Sequence, residues 1–164
     1  MVARSDDLYD DYINSTSKQP FVAFLGRRGS SDSVGHAFVG VGVDLDAGLR
    51  VYLRLFGLYP KDDTTLGVIK SIFTPVSGKL DYTWKDVSWT TELRKSIDDG
   101  QLANVLAKFD EWSSDAPQYS LLANNAFNCS ALVGQVAALV GLSVPAGAGS
   151  TRPWKYVEAL RAAN

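Results

Sequence analysis

The chain has 164 residues, a length that suits one domain with a sizeable hydrophobic core. Hydrophobic residues make up 46% and charged residues 21% of the sequence, which is ordinary for a soluble globular protein. A net charge of -2 removes the electrostatic basis for binding nucleic acid. One Cys and one His exclude an intramolecular disulfide and the zinc sites built from several Cys or His ligands. We therefore predict neither a metal nor another cofactor.

The N-terminal residues 1–19 are polar and are predicted to form an arm ahead of a single domain over residues 20–164. Acidic residues occur at once, and no apolar stretch of signal-peptide length follows. No run approaches the roughly 20 apolar residues of a membrane span. We expect a soluble protein that is cytoplasmic or is exported by a machine that needs no signal peptide.

The first half of the domain is predicted to be mainly β-structure. Short apolar or alternating runs indicate strands, and Gly-rich and Ser-rich segments indicate the loops between them. The predicted elements are a strand at 20–25, a loop at 26–35, a hairpin of strands at 36–43 and 49–55 around a turn at 44–48, a strand break at 57–60, and an aromatic-rich strand at 79–89.

The second half is predicted to be mainly helical, because its apolar residues recur at helical spacing and residues that favour caps stand at the predicted ends. We predict a short helix capped by Thr90 or Thr91 and reaching Ile97, and then a stronger helix through Leu102, Val105, Leu106 and Phe109 that stops at 115–117. An apolar helix is predicted from Ser130, with Asn128 as its N-cap and Gly141 as its stop. The terminal helix is predicted to have Thr151 as its cap, Pro153 in its first turn and Ala162 at its end.

Cys129 lies in the first turn of the helix that is apolar on nearly every side. A thiolate there meets unpaired backbone N–H groups and the positive end of the helix dipole, which favour the anion and lower the thiol pKa. The same N–H groups can stabilise an oxyanion after the sulfur attacks a carbonyl. The alternative is an inert, buried cysteine, which is the common role of a single cysteine.

His36 is the sole imidazole and opens the second predicted strand, beside a flexible loop. It is therefore the candidate general base, although single histidines are often ordinary surface or core residues. If the strands of the hairpin pair, Tyr52 and Arg54 share a face. The Tyr52 hydroxyl can then accept a hydrogen bond from the imidazole, and Arg54 can bind an anionic substrate group. A solvent-facing role is the alternative for both.

Other polar residues are further candidates near the predicted site. Asp44, Asp46 and Asn124 are alternative partners for the imidazole. Asn124 and Asn128, which lie in the segment before Cys129, are predicted to contact substrate. Aromatic residues such as Trp84, Trp89, Trp112 and Trp154 are instead expected to pack in the core and at sheet edges.

The Gly35–Gly42 strand followed far downstream by Asn128–Val133 resembles the circularly permuted branch of the NlpC/P60 papain-like superfamily, which includes the lecithin:retinol acyltransferase-like proteins. The order His before Cys is typical of that branch. The segments Phe56–Pro60 and Tyr119–Leu122 look like a bacterial subgroup of it. The chain departs from the pattern in its long approach 124–128 to the cysteine. It also lacks the second His that orients the first in some members.

The resemblance implies a papain-like α+β fold over roughly residues 20–160, with an antiparallel sheet packed against a buried helix that carries Cys129 at its start. It also implies a Cys129 nucleophile, a His36 base, and an orienting polar residue on a neighbouring strand. The implied substrates are amide bonds in peptidoglycan peptides or in a target protein. Relatives of this kind include antibacterial effectors, for which an immunity protein is an expected partner.

Two other functions stay open at this point. The nearest enzymatic alternative is an acyltransferase or lipid esterase of the same fold. The other is a non-catalytic binding module, for which Cys129 would be replaceable.

Overall fold

The structure, a computed structural model, describes residues 14–30, 35–46, 48–62, 64–81, 88–122 and 126–164. Within these residues the chain has an α+β fold of five strands and four helices. The strands are β1 (Lys18–Arg27), β2 (His36–Leu45), β3 (Arg50–Pro60), β4 (Gly78–Asp81) and β5 (Thr91–Ser96), and the helices are α1 (Thr65–Phe73), α2 (Asp99–Ser114), α3 (Cys129–Leu139) and α4 (Pro153–Ala162).

The strands form one antiparallel sheet in the order β4-β3-β2-β1-β5. The predicted hairpin is confirmed, because β2 pairs with β3 in a register that joins Val39 to Phe56. On its other side β2 pairs with β1, and Arg27 stands opposite His36. The strand that begins with the only histidine is therefore the central strand of the sheet.

The two faces of the sheet carry separate apolar clusters, as strand alternation requires. The larger cluster contains Ala37, Val39 and Phe56 and packs against α2, α3 and α4. The smaller cluster on the opposite face contains Phe38 and Leu55, together with Phe21 and Leu25 of β1. We call these the helix face and the open face of the sheet. By alternation His36 belongs with Phe38 on the open face.

The helix α3 is buried as its sequence predicts. Asn128 is its N-cap, and the side-chain oxygen accepts a hydrogen bond from the N–H of Ala131 at 2.9 Å. The chain turns out of the helix at Gly141, whose φ of 74° suits a residue without a Cβ. The stronger predicted helix is also confirmed as α2, which Asp98 opens with a capping box that includes Gln101.

Two predicted elements are wrong. The short helix predicted up to Ile97 is strand β5, because its backbone completes the sheet by pairing with β1 from Phe21 to Gly26. The strand break predicted at 57–60 is absent, since β3 continues to Pro60 and its last four residues pair with β4. Pro60 is tolerated because it ends the strand. In both places tertiary pairing overrides local preference.

Other boundaries differ in smaller ways. The strand predicted at 79–89 is observed only as β4, and residues 82–87 lie outside the described part. The terminal helix begins with Pro153 as predicted, but its N-cap is Arg152, which makes no side-chain cap bond, rather than Thr151. The strand β1 begins at Lys18, inside the predicted arm 1–19, of which residues 1–13 lie outside the described residues. No helix described here has the length and apolar character needed to cross a membrane.

Candidate functional site

Cys129 begins α3 and is buried on the helix face, with 1% of its surface exposed. The backbone N–H groups of Cys129 and Ser130, which belong to the unpaired first turn of the helix, lie close enough to the sulfur to lower the thiol pKa. A third N–H comes from Ala37 in the neighbouring strand β2. The sulfur therefore stands where the start of the buried helix meets the start of the central strand.

Burial dominates the ionisation of this thiol. It raises the pKa of Cys129 to about 11, and three backbone N–H groups together with the Ser130 hydroxyl offset only part of that rise. The sequence led us to expect a lowered pKa from the helix terminus alone. The difference arises because an apolar helix that is well packed also removes water from the sulfur, which disfavours the charged form.

His36 is the first residue of β2, and its ring stacks on two aromatic neighbours. The ring centroids of His36 and Tyr59 are 4.5 Å apart, and those of His36 and Phe38 are 5.6 Å apart. Gly57 lies beneath the imidazole, because a Cβ built on it would stand 2.6 Å from Nε2. Aromatic surface and a glycine therefore fix the position of this ring.

The imidazole is held in its neutral form. Burial lowers the pKa of His36 to about 3, and the positive charge of Arg27 on β1 acts in the same direction. Its Nε2 is buried and has no hydrogen-bond partner among the described residues. Buried polar atoms without partners are rare, and a catalytic role is one of the reasons for which a protein keeps them. The buried hydroxyl of Ser130 also makes no hydrogen bond of ordinary geometry among the described residues, although it lies close enough to the sulfur to lower the thiol pKa.

The structure brings Cys129 and His36 to the same end of the sheet. Ala37 lies between them, because it directly follows His36 in β2 and its N–H lies close enough to the sulfur to lower the thiol pKa. The side chains themselves are not hydrogen-bonded to each other. The strand places Ala37 on the helix face with the sulfur and the imidazole on the open face. The sulfur and the imidazole therefore lie near the same end of β2 but on opposite faces of the sheet.

Tyr52 and Arg54 do not lie beside His36. Tyr52 pairs with Gly42, six positions from His36 along β2, and its hydroxyl donates to a Glu92 carboxylate oxygen at 2.7 Å. The prediction that Tyr52 orients the imidazole is therefore wrong. A β-bulge between Val41 and Gly42 shifts the register, so Arg54 pairs with Val41. Arg54 lines a separate groove of about 600 Å³ between the sheet and α2.

The remaining polar candidates also have other partners. Asn128 is 3% exposed and donates from its amide nitrogen to the Ala148 carbonyl oxygen at 2.9 Å, so its side chain caps and fastens α3. Asp44 pairs with Arg50 at 2.8 Å, and Asp46 accepts hydrogen bonds from residues 15–17, at the far end of β2 from His36. Asn124 lies outside the described residues.

Two tyrosines near the sulfur were not predicted to belong to the site. Burial raises the pKa of Tyr59 to about 12 and also raises that of Tyr119, and the nearby Cys129 adds to both shifts. The sequence contained a usable indication, since both lie in segments that resemble the bacterial subgroup. The predicted break at 57–60 hid Tyr59, because it removed that residue from the strand beside β2.

We predict that His36 makes stability sensitive to acid. Its folded pKa is near 3 and its unfolded value is 6.5, so the unfolded chain binds more protons between these values and unfolding becomes easier as the pH falls. Between pH 7.5 and pH 5, His36 should cost about 2 kcal/mol of stability. Urea unfolding at both pH values, compared with His36→Gln, measures this difference. Equal losses in the two proteins would contradict the buried, neutral imidazole.

Comparison with protein-family models, with curated proteins and with solved structures finds no match to this chain. Among the residues that the structure describes, no group of three or more His, Cys, Asp or Glu side chains could hold a metal ion.

Proposed function

We propose that the protein is a papain-like thiol hydrolase of the permuted NlpC/P60 type, with Cys129 as nucleophile and His36 as the group that transfers the proton. One observation carries the proposal: the first turn of α3 packs against the first residues of β2, which places backbone N–H groups of both elements beside the sulfur. Backbone donors fixed around a nucleophile are what an acyl-transfer site needs, because they can stabilise an oxyanion without reorganising.

The proposed reaction moves one proton with each covalent change. As the Cys129 sulfur bonds to the carbonyl carbon, its proton passes to the imidazole of His36, and the carbonyl oxygen becomes an oxyanion held by backbone N–H. The C–N bond then breaks, and the imidazolium gives its proton to the departing amine. Water attacks the thioester with the imidazole as base, which releases the acid and restores the thiol.

The resting site is neutral, with the pKa of the thiol raised and that of the imidazole lowered by burial. In this proposal the proton leaves the sulfur only while the sulfur forms its bond to the carbonyl carbon of a bound substrate. His36 stands at the start of β2, so for that step its imidazole must leave the space above Gly57 and pass around the end of the strand toward the sulfur, and its Nε2 loses no hydrogen bond in doing so.

The preferred bond is an amide, and peptidoglycan peptides are the first substrates to test, as the resemblance implies. An inhibitory partner protein and delivery without a signal peptide belong to the same proposal. The acyltransferase or lipid esterase of the same fold is its enzymatic alternative.

A non-catalytic binding module is the second candidate function. It is supported by the nearly complete burial of the sulfur and by the absence of a hydrogen bond between the sulfur and the imidazole. Under this proposal Cys129 fills space at the start of α3, and its replacement leaves binding unchanged.

A panel of three substrates separates these proposals. The protein is incubated with peptidoglycan sacculi, with amide-blocked peptides, and with phospholipid vesicles, and products are identified by mass spectrometry. The hydrolase predicts new free amines or shortened muropeptides that are absent with Cys129→Ser. Fatty-acid release or transfer instead favours the lipid alternative. No product from any substrate would favour the binding module.

A further inference from the structure

The imidazole of His36 has a close aromatic partner on the neighbouring strand. Extending the register that joins Val39 to Phe56 places Tyr59 directly opposite His36. The two rings stack with an interplanar angle of 29°. Opposed residues of an antiparallel pair share a face, so this contact is fixed by the sheet rather than by a loop.

Gly57 leaves the space that this arrangement requires. A Cβ at Gly57 would lie 2.6 Å from Nε2 of His36 and 2.9 Å from the Tyr59 hydroxyl, both closer than such atoms approach. The ring nitrogen and the hydroxyl therefore border the same small space. A side chain at Gly57 would displace one ring or both.

From this geometry we infer that Tyr59 is the positioning residue for His36, and that Gly57 is required for its contact with the imidazole. The inference rests on the proposed function, in which His36 becomes an imidazolium during each turnover. The face of an aromatic ring stabilises a cation stacked on it. Tyr59 thus takes the place of the orienting residue that the sequence suggested at Tyr52.

The charges around the imidazole show why such a partner matters. Arg27 of β1 faces His36 from the other side and disfavours the imidazolium, whereas Tyr59 of β3 presents a π surface. Cys129 of α3 becomes the counter-charge only when it ionises. Among the described neighbours of the ring, the two stacked aromatic rings support the charged form while the imidazole lies against them, and Tyr59 is the closer of the two.

The test uses the single Cys and the single His as probes. The variants are Tyr59→Leu, Tyr59→Phe, His36→Gln and the control Tyr52→Leu, which removes a tyrosine of the same strand remote from the imidazole. NMR of the His36 ring gives its pKa and tautomer, and intact mass gives the rate at which iodoacetamide alkylates Cys129.

We expect Tyr59→Leu to shift the ring resonances and to slow alkylation at pH 7 about tenfold, close to the effect of His36→Gln. Tyr59→Phe, which keeps the stacking ring, and Tyr52→Leu should stay within about threefold of the unmodified protein.

Two outcomes distinguish this inference from the proposed function. If His36→Gln slows alkylation and Tyr59→Leu does not, the positioning role is wrong while the thiol–imidazole pair stands. If His36→Gln itself has no effect, the proposed function fails. Should Tyr59→Leu fail to fold, Gly57→Ala places a methyl group in the shared space, and unchanged imidazole resonances in that variant would overturn the inference.

Discussion

Replacement of Cys129 by serine is expected to reduce turnover of the substrate found with the panel by at least about a thousandfold. A serine hydroxyl is nearly the size of the thiol but is a far weaker nucleophile at its ordinary pKa. The chain has no second cysteine that could take over the reaction. The initial rate of amide cleavage at saturating substrate measures the effect.

The control for this substitution separates chemistry from folding. His36→Gln should lose a comparable share of turnover, and Tyr52→Phe should lose little, because that hydroxyl bonds to Glu92 and not to the imidazole. All three proteins should keep the circular dichroism spectrum of the unmodified chain. If Cys129→Ser retains more than about a tenth of the activity, the sulfur is not the nucleophile.

Replacement of Leu132 by alanine is expected to lower the free energy of unfolding by about 3 kcal/mol. Leu132 lies one turn beyond Cys129, is fully buried, and belongs to the cluster between α3 and the sheet. Removing three carbon atoms there forfeits apolar burial and leaves a cavity that the packed strands cannot fill. Urea denaturation followed by tryptophan fluorescence measures the loss.

Leu139 provides the matched control on the same helix. Its side chain is 37% exposed at the last turn of α3, so Leu139→Ala should cost less than about 1 kcal/mol. Equal losses at the two positions would show that α3 does not bury the side of the helix that contains Leu132. The position of Cys129 against β2 would then lose its support.

The sequence predicted those parts of the site that local chemistry determines. The pattern Asn-Cys before an apolar run predicts a capped, buried helix, and the structure has Asn128 as the cap and Cys129 as the first residue of α3. The alternating pattern after His36 predicts a strand paired with the next one, and β2 and β3 form that pair. In each case the deciding interactions lie within one element or one hairpin.

Features that depend on pairing between segments far apart in the sequence could not be predicted from local patterns. The strand β5 has a sequence compatible with a helix, and only its pairing with β1 makes it a strand. Tyr59 lies two residues after Gly57 and directly before Pro60, so the local sequence predicts that the strand ends before it. The β-bulge between Val41 and Gly42 changed which β3 residues stand near each end of β2, and Gly42 in the strand interior is the sequence feature that is compatible with it.

The effect of burial on the pKa values of Cys129 and His36 was the second feature that the local sequence did not predict. A helix N-terminus alone lowers the pKa of a thiol, yet the packing of α3 against the sheet raises that of Cys129. The same packing keeps His36 neutral. Cys129 and His36 are thus both uncharged in the folded protein at neutral pH, and their proposed cooperation has to be tested by reactivity.

The pH dependence of Cys129 alkylation, compared between the unmodified protein and His36→Gln, tests the thiol–imidazole pair most directly. The account predicts that the unmodified protein reacts about tenfold faster at pH 7, and that the two rates converge as the pH approaches the thiol pKa near 11. Superimposable profiles from pH 6 to pH 11 would show that the imidazole does not assist the sulfur, and would contradict the pair.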